Sequence, residues 1–230
     1  MLIIVSKNIS KSAYQVLSKY GTVIPFETQG VVYPAISDHP DIFFCNTPQG
    51  LVVAPNTPQS YIDILKENGV NFIFGSKILK NSYPNTAHYN VIITSQVILH
   101  NFNITDDVIL NIAESHGLTK IHVNQGYARC TTVALNNNTW ITSDEGMYKT
   151  LLNYGHKALL VNPECIKLSS FPNGFFGGIC GICNNMLFTN GKLNYFSNYN
   201  KIINFIKNSG VELVELGNYQ PIDIGSIIFV

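Results

Sequence analysis

Three short stretches of the sequence carry residue types able to do chemistry. His39-Pro40-Asp41 sets an imidazole two positions from a carboxylate. A carboxylate beside an imidazole can bind a cationic group and exchange a proton with it, although an Asp after a proline also serves to accept local backbone bonds in a turn. Arg129-Cys130 sets a thiol next to a guanidinium, and a neighbouring cation can favour the nucleophilic thiolate. On a strand, where this pair is expected, adjacent side chains point to opposite faces, and a buried free cysteine that only packs is common. Cys180-Gly181-Ile182-Cys183 has the spacing of a metal knuckle or a redox pair. No second Cys-x-x-Cys and no His-x-x-x-His supplies the other ligands of a zinc site, and a redox pair belongs at a helix N-terminus, whereas this one is expected on a strand entering a hairpin. No metal or cofactor is expected. Cys180 remains either a site thiol or a core residue.

Composition narrows the class of partner. The chain has 230 residues, 14 basic and 14 acidic, for zero formal net charge, with 46% apolar and 12% charged residues. That is a well-packed globular composition, long enough for one large domain. With neither excess charge nor a Lys/Arg run, the electrostatic footprint of a nucleic-acid or anionic-membrane binder is missing. A small molecule is the expected ligand. No run approaches the roughly 20 apolar residues of a membrane span. The short run 2–5 after Met1 is no signal peptide, and five cysteines at irregular positions make no disulfide framework, so a reducing cytoplasm is expected. The remaining histidines, His88, His100, His116, His122 and His156, lack ligand spacing. The 12 Tyr and 13 Phe are read as core packing.

The elements that must position these residues repeat. Five amphipathic helical patterns each end at a glycine, Gly21, Gly69, Gly117, Gly155 or Gly210, and each is followed by an apolar run. Glycine suits the left-handed position that closes a helix because it carries no Cβ. Small polar residues stand ahead of each helix as caps: Ser10, Thr57, Thr105, Ser143 and Ser197-Asn198. Ala13, Val16, Leu17 and Tyr20, and likewise Ile109, Ile112 and Ala113, lie on one face at helical period. Before four of the helices, paired extended runs flank turn residues such as Asn136-Asn137-Asn138 and Asn184-Asn185, which marks hairpins. The first helix has only one strand ahead of it, 2–5, while 227–230 is an extended run with no helix after it. Pairing the two completes a fifth unit and removes two exposed edges. The chain is therefore read as a single α/β domain, residues 1–230: a five-bladed, pseudo-symmetric α/β propeller of ββαβ units closed by pairing of its N- and C-terminal strands. An open doubly wound sheet with a stray last strand is the alternative.

Five such units resemble the pentein, or guanidino-group modifying enzyme, fold. His39-Pro40-Asp41-Ile42-Phe43 is similar to its first-hairpin Pro-Asp motif. With Gly126-Tyr127-Ala128-Arg129-Cys130, Gly174-Phe175-Phe176-Gly177-Gly178 and Asp223-Ile224-Gly225 it resembles most closely an uncharacterised bacterial family of that fold. The resemblance implies a guanidine-binding site with acidic residues, a cysteine nucleophile in the last unit and a histidine in the third. This chain departs at both catalytic places, with Asp223-Ile224-Gly225-Ser226 where the cysteine is expected and Arg129-Cys130 where the histidine is.

In a ring of such units the strand starts converge on one channel mouth, where a pocket forms. His39, Asp41, Tyr127, Arg129, Cys130, Cys180, Asp223 and Ser226 are expected there, with Gly177-Gly178 letting backbone amides approach a ligand. Two readings follow. One is a binder of a small guanidine- or amidine-like cation without the standard catalytic set, held by Asp41, Tyr127, Arg129, Asp223 and Ser226. The other is a thiol-dependent hydrolase or amidinotransferase on C–N bonds, with Cys130 or Cys180 as a relocated nucleophile assisted by His39.

Overall fold

A computed structural model describes residues 1–230. Along the chain run β1 (Leu2–Ser6), α1 (Lys11–Leu17), β2 (Thr22–Phe26), β3 (Phe44–Thr47), β4 (Gly50–Val53), α2 (Gln59–Glu67), β5 (Phe72–Phe74), β6 (Ile92–Ile93), β7 (Val97–His100), α3 (Asp107–Ser115) and β8 (Thr119–His122). There follow a single helical turn α4 (Ala128–Thr131), β9 (Thr132–Asn136), β10 (Thr139–Thr142), α5 (Glu145–Asn153), β11 (Lys157–Leu160), β12 (Cys180–Cys183), β13 (Met186–Thr189), α6 (Tyr199–Asn208), β14 (Glu212–Glu215) and β15 (Ile228–Phe229).

The strands form five three-stranded sheets, none closed on itself: β3-β4-β5, β6-β7-β8, β9-β10-β11, β12-β13-β14 and β15-β1-β2. In each, the first strand pairs antiparallel with the middle one, and the third joins in parallel after a helical crossover. The last sheet is assembled from both ends of the chain, with Ile3 opposite Phe229 and Ile4 opposite Ile228. The structure is not a single open sheet. β3 lies against β6, β6 against β9, β9 against β12, and β12 against β15. Asn46 Nδ2 donates to Phe229 O at 2.9 Å, tying β15 back to β3. Every residue of the middle strands β1, β7 and β10 is buried, which explains the near-continuous apolar runs of β1 and β7.

The helices form where capping and periodicity place them. Ser10 accepts from Ala13 N at 3.1 Å, and Ala13 and Leu17 are buried on the inner face of α1. Gly69, Gly117, Gly155 and Gly210 take left-handed φ values of 67, 63, 81 and 76°. Gly21 does not: a Cβ there would run into Met1 O, so close approach rather than handedness selects glycine. Three caps shift by one residue. Asp106 and Asp144, not Thr105 and Ser143, accept the first free amides of α3 and α5, because a carboxylate binds an amide more strongly than a hydroxyl does. Thr57 instead turns its hydroxyl back to Ala54 O, and α2 starts after Pro58 without a side-chain cap. Asn198 caps α6 by position only.

Short helical turns precede three of the first strands: Pro40–Ile42 before β3, α4 before β9 and Gly177–Ile179 before β12. Cys130 therefore sits in a turn and not on a strand, contrary to the sequence expectation. Thr131 Oγ1 closes this turn locally by donating to Tyr127 O at 3.0 Å.

Candidate functional site

The approaches to the five first strands meet. Two or three residues ahead of each strand stand Asp41, Asn90, Cys130, Gly178 and Ser226, the corresponding place in each unit. These positions interlock through backbone bonds: Asp41 N donates to Gly225 O at 3.1 Å, Arg129 N to Asn90 O at 3.1 Å and Ser226 N to Gly178 O at 2.9 Å.

Asp41, fully buried, is the hub. Its Oδ2 accepts from Ser226 Oγ at 2.7 Å and from Cys130 Sγ at 3.0 Å, while Oδ1 is buried without a partner. Asn90 clamps Cys130, accepting from its amide at 3.0 Å and donating to Sγ at 3.2 Å, and it also reaches Asp41 O at 3.2 Å. Burial, then the negative charges of Asp41 and Asp223, push the Cys130 thiol well above its ordinary range. The sulfur is thus held as a thiol that donates to a carboxylate.

Asp223 is also buried, and burial raises its carboxyl above the usual range against the opposing pull of His39 and two backbone amides. Those amides are Phe175 N on Oδ2 at 2.9 Å and Gly225 N on Oδ1 at 3.0 Å. His39 Nδ1 lies 3.9 Å from Asp223 Oδ1, beyond hydrogen-bonding range, and has no partner. Glycine is required around this acid: a Cβ on Gly178 would strike the Asp223 carboxylate, and one on Gly225 would strike His39. Neither Asp41 nor Asp223 has a lysine or arginine within ion-pair distance.

Above the cluster opens a cavity of about 150 Å³ whose floor includes His39, Cys130 and Asp223 and whose walls include Tyr33, Tyr127, Phe171 and Phe175. Tyr127 Oη lies 2.6 Å from Thr86 Oγ1 and 3.4 Å from Tyr33 Oη, which fixes the ring in the wall. Burial pushes both phenols up, so they stay neutral. A larger hollow of about 560 Å³ on the far side of Tyr127, toward Asp144, is open and contains none of the buried cluster.

Of the residues expected at the mouth, His39, Asp41, Tyr127, Cys130, Asp223 and Ser226 come together. Two do not. Arg129, the residue before Cys130 on α4, lines a separate cavity of about 280 Å³ with Asn46, Ile92 and Phe229. Cys180 is buried in an apolar cluster with Val133, Phe176 and Leu187, and burial raises its thiol strongly. It lies on β12, one step past the Gly177–Ile179 turn. Cys183, the other half of the Cys-x-x-Cys, is unpaired and half-buried. Asn90 is the contributor missed from sequence. Its signal is positional, since it precedes β6 as Cys130 precedes β9.

A family model described as a family of unknown function (DUF6873) matches residues 4–228. No curated protein sequence matches the chain. Among solved structures, DDAH from Pseudomonas aeruginosa complexed with citrulline aligns with a TM-score of 0.51 at 12% identity, over 93% of this chain and 91% of that one. An agmatine deiminase of C. jejuni with substrate bound aligns with a TM-score of 0.53 at 12% identity, over 94% of this chain and 76% of that one. A dimethylarginine dimethylaminohydrolase adduct with S-methyl-L-thiocitrulline gives 0.52 at 12% identity, over 93% and 91%. At that identity the likeness shows a shared mixed α/β fold, the pentein fold, and nothing about chemistry.

Proposed function

The chain belongs to the DUF6873 family, and from that premise we propose that it binds a small guanidine- or amidine-bearing cation in the cavity lined by His39, Cys130 and Asp223, with Asp41 bonded to Cys130 behind its lining. The observation that carries this reading is the pair of buried acids without a basic partner. Buried carboxylates without a counter-charge are costly, and a bound cation offsets that cost. Asp41 Oδ1 is a free acceptor for it. Aromatic walls favour the same ligand through cation–π contact. The cavity suits a cationic head group rather than a long chain. The cyclic succession of the five sheets supports reading the architecture as a five-bladed propeller with this cavity at its mouth. Five unpaired cysteines fit a reducing compartment.

Thermal shift across guanidine and amidine compounds tests the reading. A ligand at 100 times its Kd stabilises by about 2.7 kcal/mol, readily visible in Tm, and Asp41→Asn removes the shift. No stabilisation by any compound of either class, or a shift unchanged in Asp41→Asn, rejects it.

A second reading, thiol-dependent attack on a C–N bond, is favoured by one observation: Cys130 Sγ, a His39 nitrogen and an Asp41 oxygen lie within 4.8 Å of one another. A bound cation would pull the thiol proton off toward Asp41 or His39. The sulfur would then add to the guanidine or amidine carbon and an amine would leave with a proton. The discriminating result is mass spectrometry of protein with ligand: an adduct on Cys130, absent in Cys130→Ser, selects the enzyme, and stabilisation without adduct or turnover selects the binder.

A further inference from the structure

Three metal-ligating side chains converge in the same buried cluster. One nitrogen of His39, one oxygen of Asp41 and Cys130 Sγ all lie within 4.8 Å of one another. Ligands around a common metal at about 2.0–2.3 Å stand at most roughly 4.6 Å apart, so small rotations bring all three onto one ion. Independently of this spacing, His39 Nδ1 and Asp41 Oδ1 are buried polar atoms with no hydrogen-bond partner, on residues 3% and 0% exposed. Packing gives no reason to leave a buried imidazole nitrogen and a buried carboxylate oxygen of one cluster without partners, whereas coordination gives such groups one.

We propose that His39, Asp41 and Cys130 form a site for a divalent transition-metal ion of the zinc class, with its remaining coordination position open to the cavity. The donor set decides the class. Magnesium and calcium take oxygen ligands, while a nitrogen–oxygen–sulfur set suits zinc, cobalt or iron. The supporting shell is in place: Ser226 Oγ orients Asp41, and Asn90 fixes Cys130 from both its amide and its sulfur. Binding breaks the Sγ–H bond and forms an Sγ–metal bond, releasing the thiol proton to solvent. The metal's charge replaces the proton that Asp41 now shares with Cys130. No sequence motif announces the site, since its ligands come from two separated units.

This inference uses the cluster of the organic-cation reading without depending on it, because the two ligands would compete at Asp41. The test is titration of chelator-treated protein with Co²⁺ in the absence of any guanidine. One equivalent is expected to give a near-ultraviolet thiolate-to-cobalt band with intense visible bands of a four-coordinate site, both displaced by Zn²⁺. Cys130→Ser removes the near-ultraviolet band, His39→Gln and Asp41→Asn each weaken binding by about tenfold or more, and Cys183→Ser changes nothing. Absence of the band overturns the proposal, as does a band that survives Cys130→Ser. Should Cys130→Ser not fold, unchanged affinity in folded His39→Gln overturns it equally. A cobalt signature without guanidine stabilisation removes only the organic-cation reading, and guanidine stabilisation without a cobalt signature removes only the metal site.

Discussion

Cys130 donates its thiol proton to Asp41 Oδ2 at 3.0 Å, across a sequence separation of 89 residues. That bond joins the starts of two units and determines the resting state of the cluster. A carboxylate accepting from a thiol holds the proton on sulfur, and the second acid, Asp223, adds to the effect.

The thiol is therefore slow to react. Iodoacetamide labelling of Cys130, followed by mass spectrometry across pH, is expected to stay low through the whole ordinary thiol range, because burial and the neighbouring acids hold the proton on sulfur. Asp41→Asn removes the nearest negative charge and moves the onset of labelling to lower pH. Rapid modification of Cys130 in the unsubstituted protein below about pH 8 would show that the thiolate is already present.

Ser226 adopts a left-handed φ of 67°, unusual for a residue with a side chain, because its hydroxyl is needed on Asp41. Ser226→Ala keeps the strained backbone and leaves Asp41 with one donor fewer, an expected loss of about 1–3 kcal/mol. Ser226→Gly loses the same bond but relaxes the backbone, so it should be less destabilising by about 1 kcal/mol. Urea midpoints of the two variants give the order directly.

Cys180 sits among apolar side chains outside the cavity. Cys180→Ser places a hydroxyl there and should cost about 1–3 kcal/mol of stability. Ligand-induced stabilisation should persist in this variant, measured as a Tm shift relative to its own unliganded Tm. Loss of the shift in a folded Cys180→Ser would return Cys180 to the site.

His100 is fully buried, with Nε2 2.7 Å from Gly126 O and Nδ1 2.7 Å from Thr105 Oγ1. Burial lowers its folded pKa from 6.5 to about 4. The unfolded chain then takes up the proton first, so this stability is fully present above about pH 6.5 and is lost as pH falls toward 4, by on the order of 3 kcal/mol. His88 and His156 are shifted the same way by burial. Denaturant midpoints should fall between pH 7 and pH 4.5, and fall less in His100→Gln, which keeps a donor and an acceptor but does not titrate. Parallel acid profiles in the two proteins would assign the loss elsewhere.

What the sequence by itself determined is whatever depends on neighbours a few positions apart. Gly69, Gly117, Gly155 and Gly210 end helices because the strain they avoid is local, and Asn184-Asn185 turn a hairpin at φ 48 and 62° because Asn tolerates that region. Repetition of those local signals was enough to read five units and to pair residues 2–5 with the last strand. The caps at Thr105 and Ser143 went astray by one residue, where two local acceptors competed and the charged one won.

Only the tertiary structure decided which side chains meet. Arg129 and Cys130 are adjacent in sequence yet enter different cavities, a separation that strand alternation also implied, while which cavity each enters is fixed by the fold. Asn90 carries no motif, but it occupies in its unit the place that Asp41, Cys130 and Ser226 hold in theirs. His39 and Asp41 meet Cys130, Asp223 and Ser226 only when the starts of β3, β9 and β15, from distant parts of the chain, are brought together. The charge balance of that meeting, two buried acids, a thiol and an imidazole without a basic partner, is a property of the assembled neighbourhood, since burial and through-space charge have no value until the chain has folded.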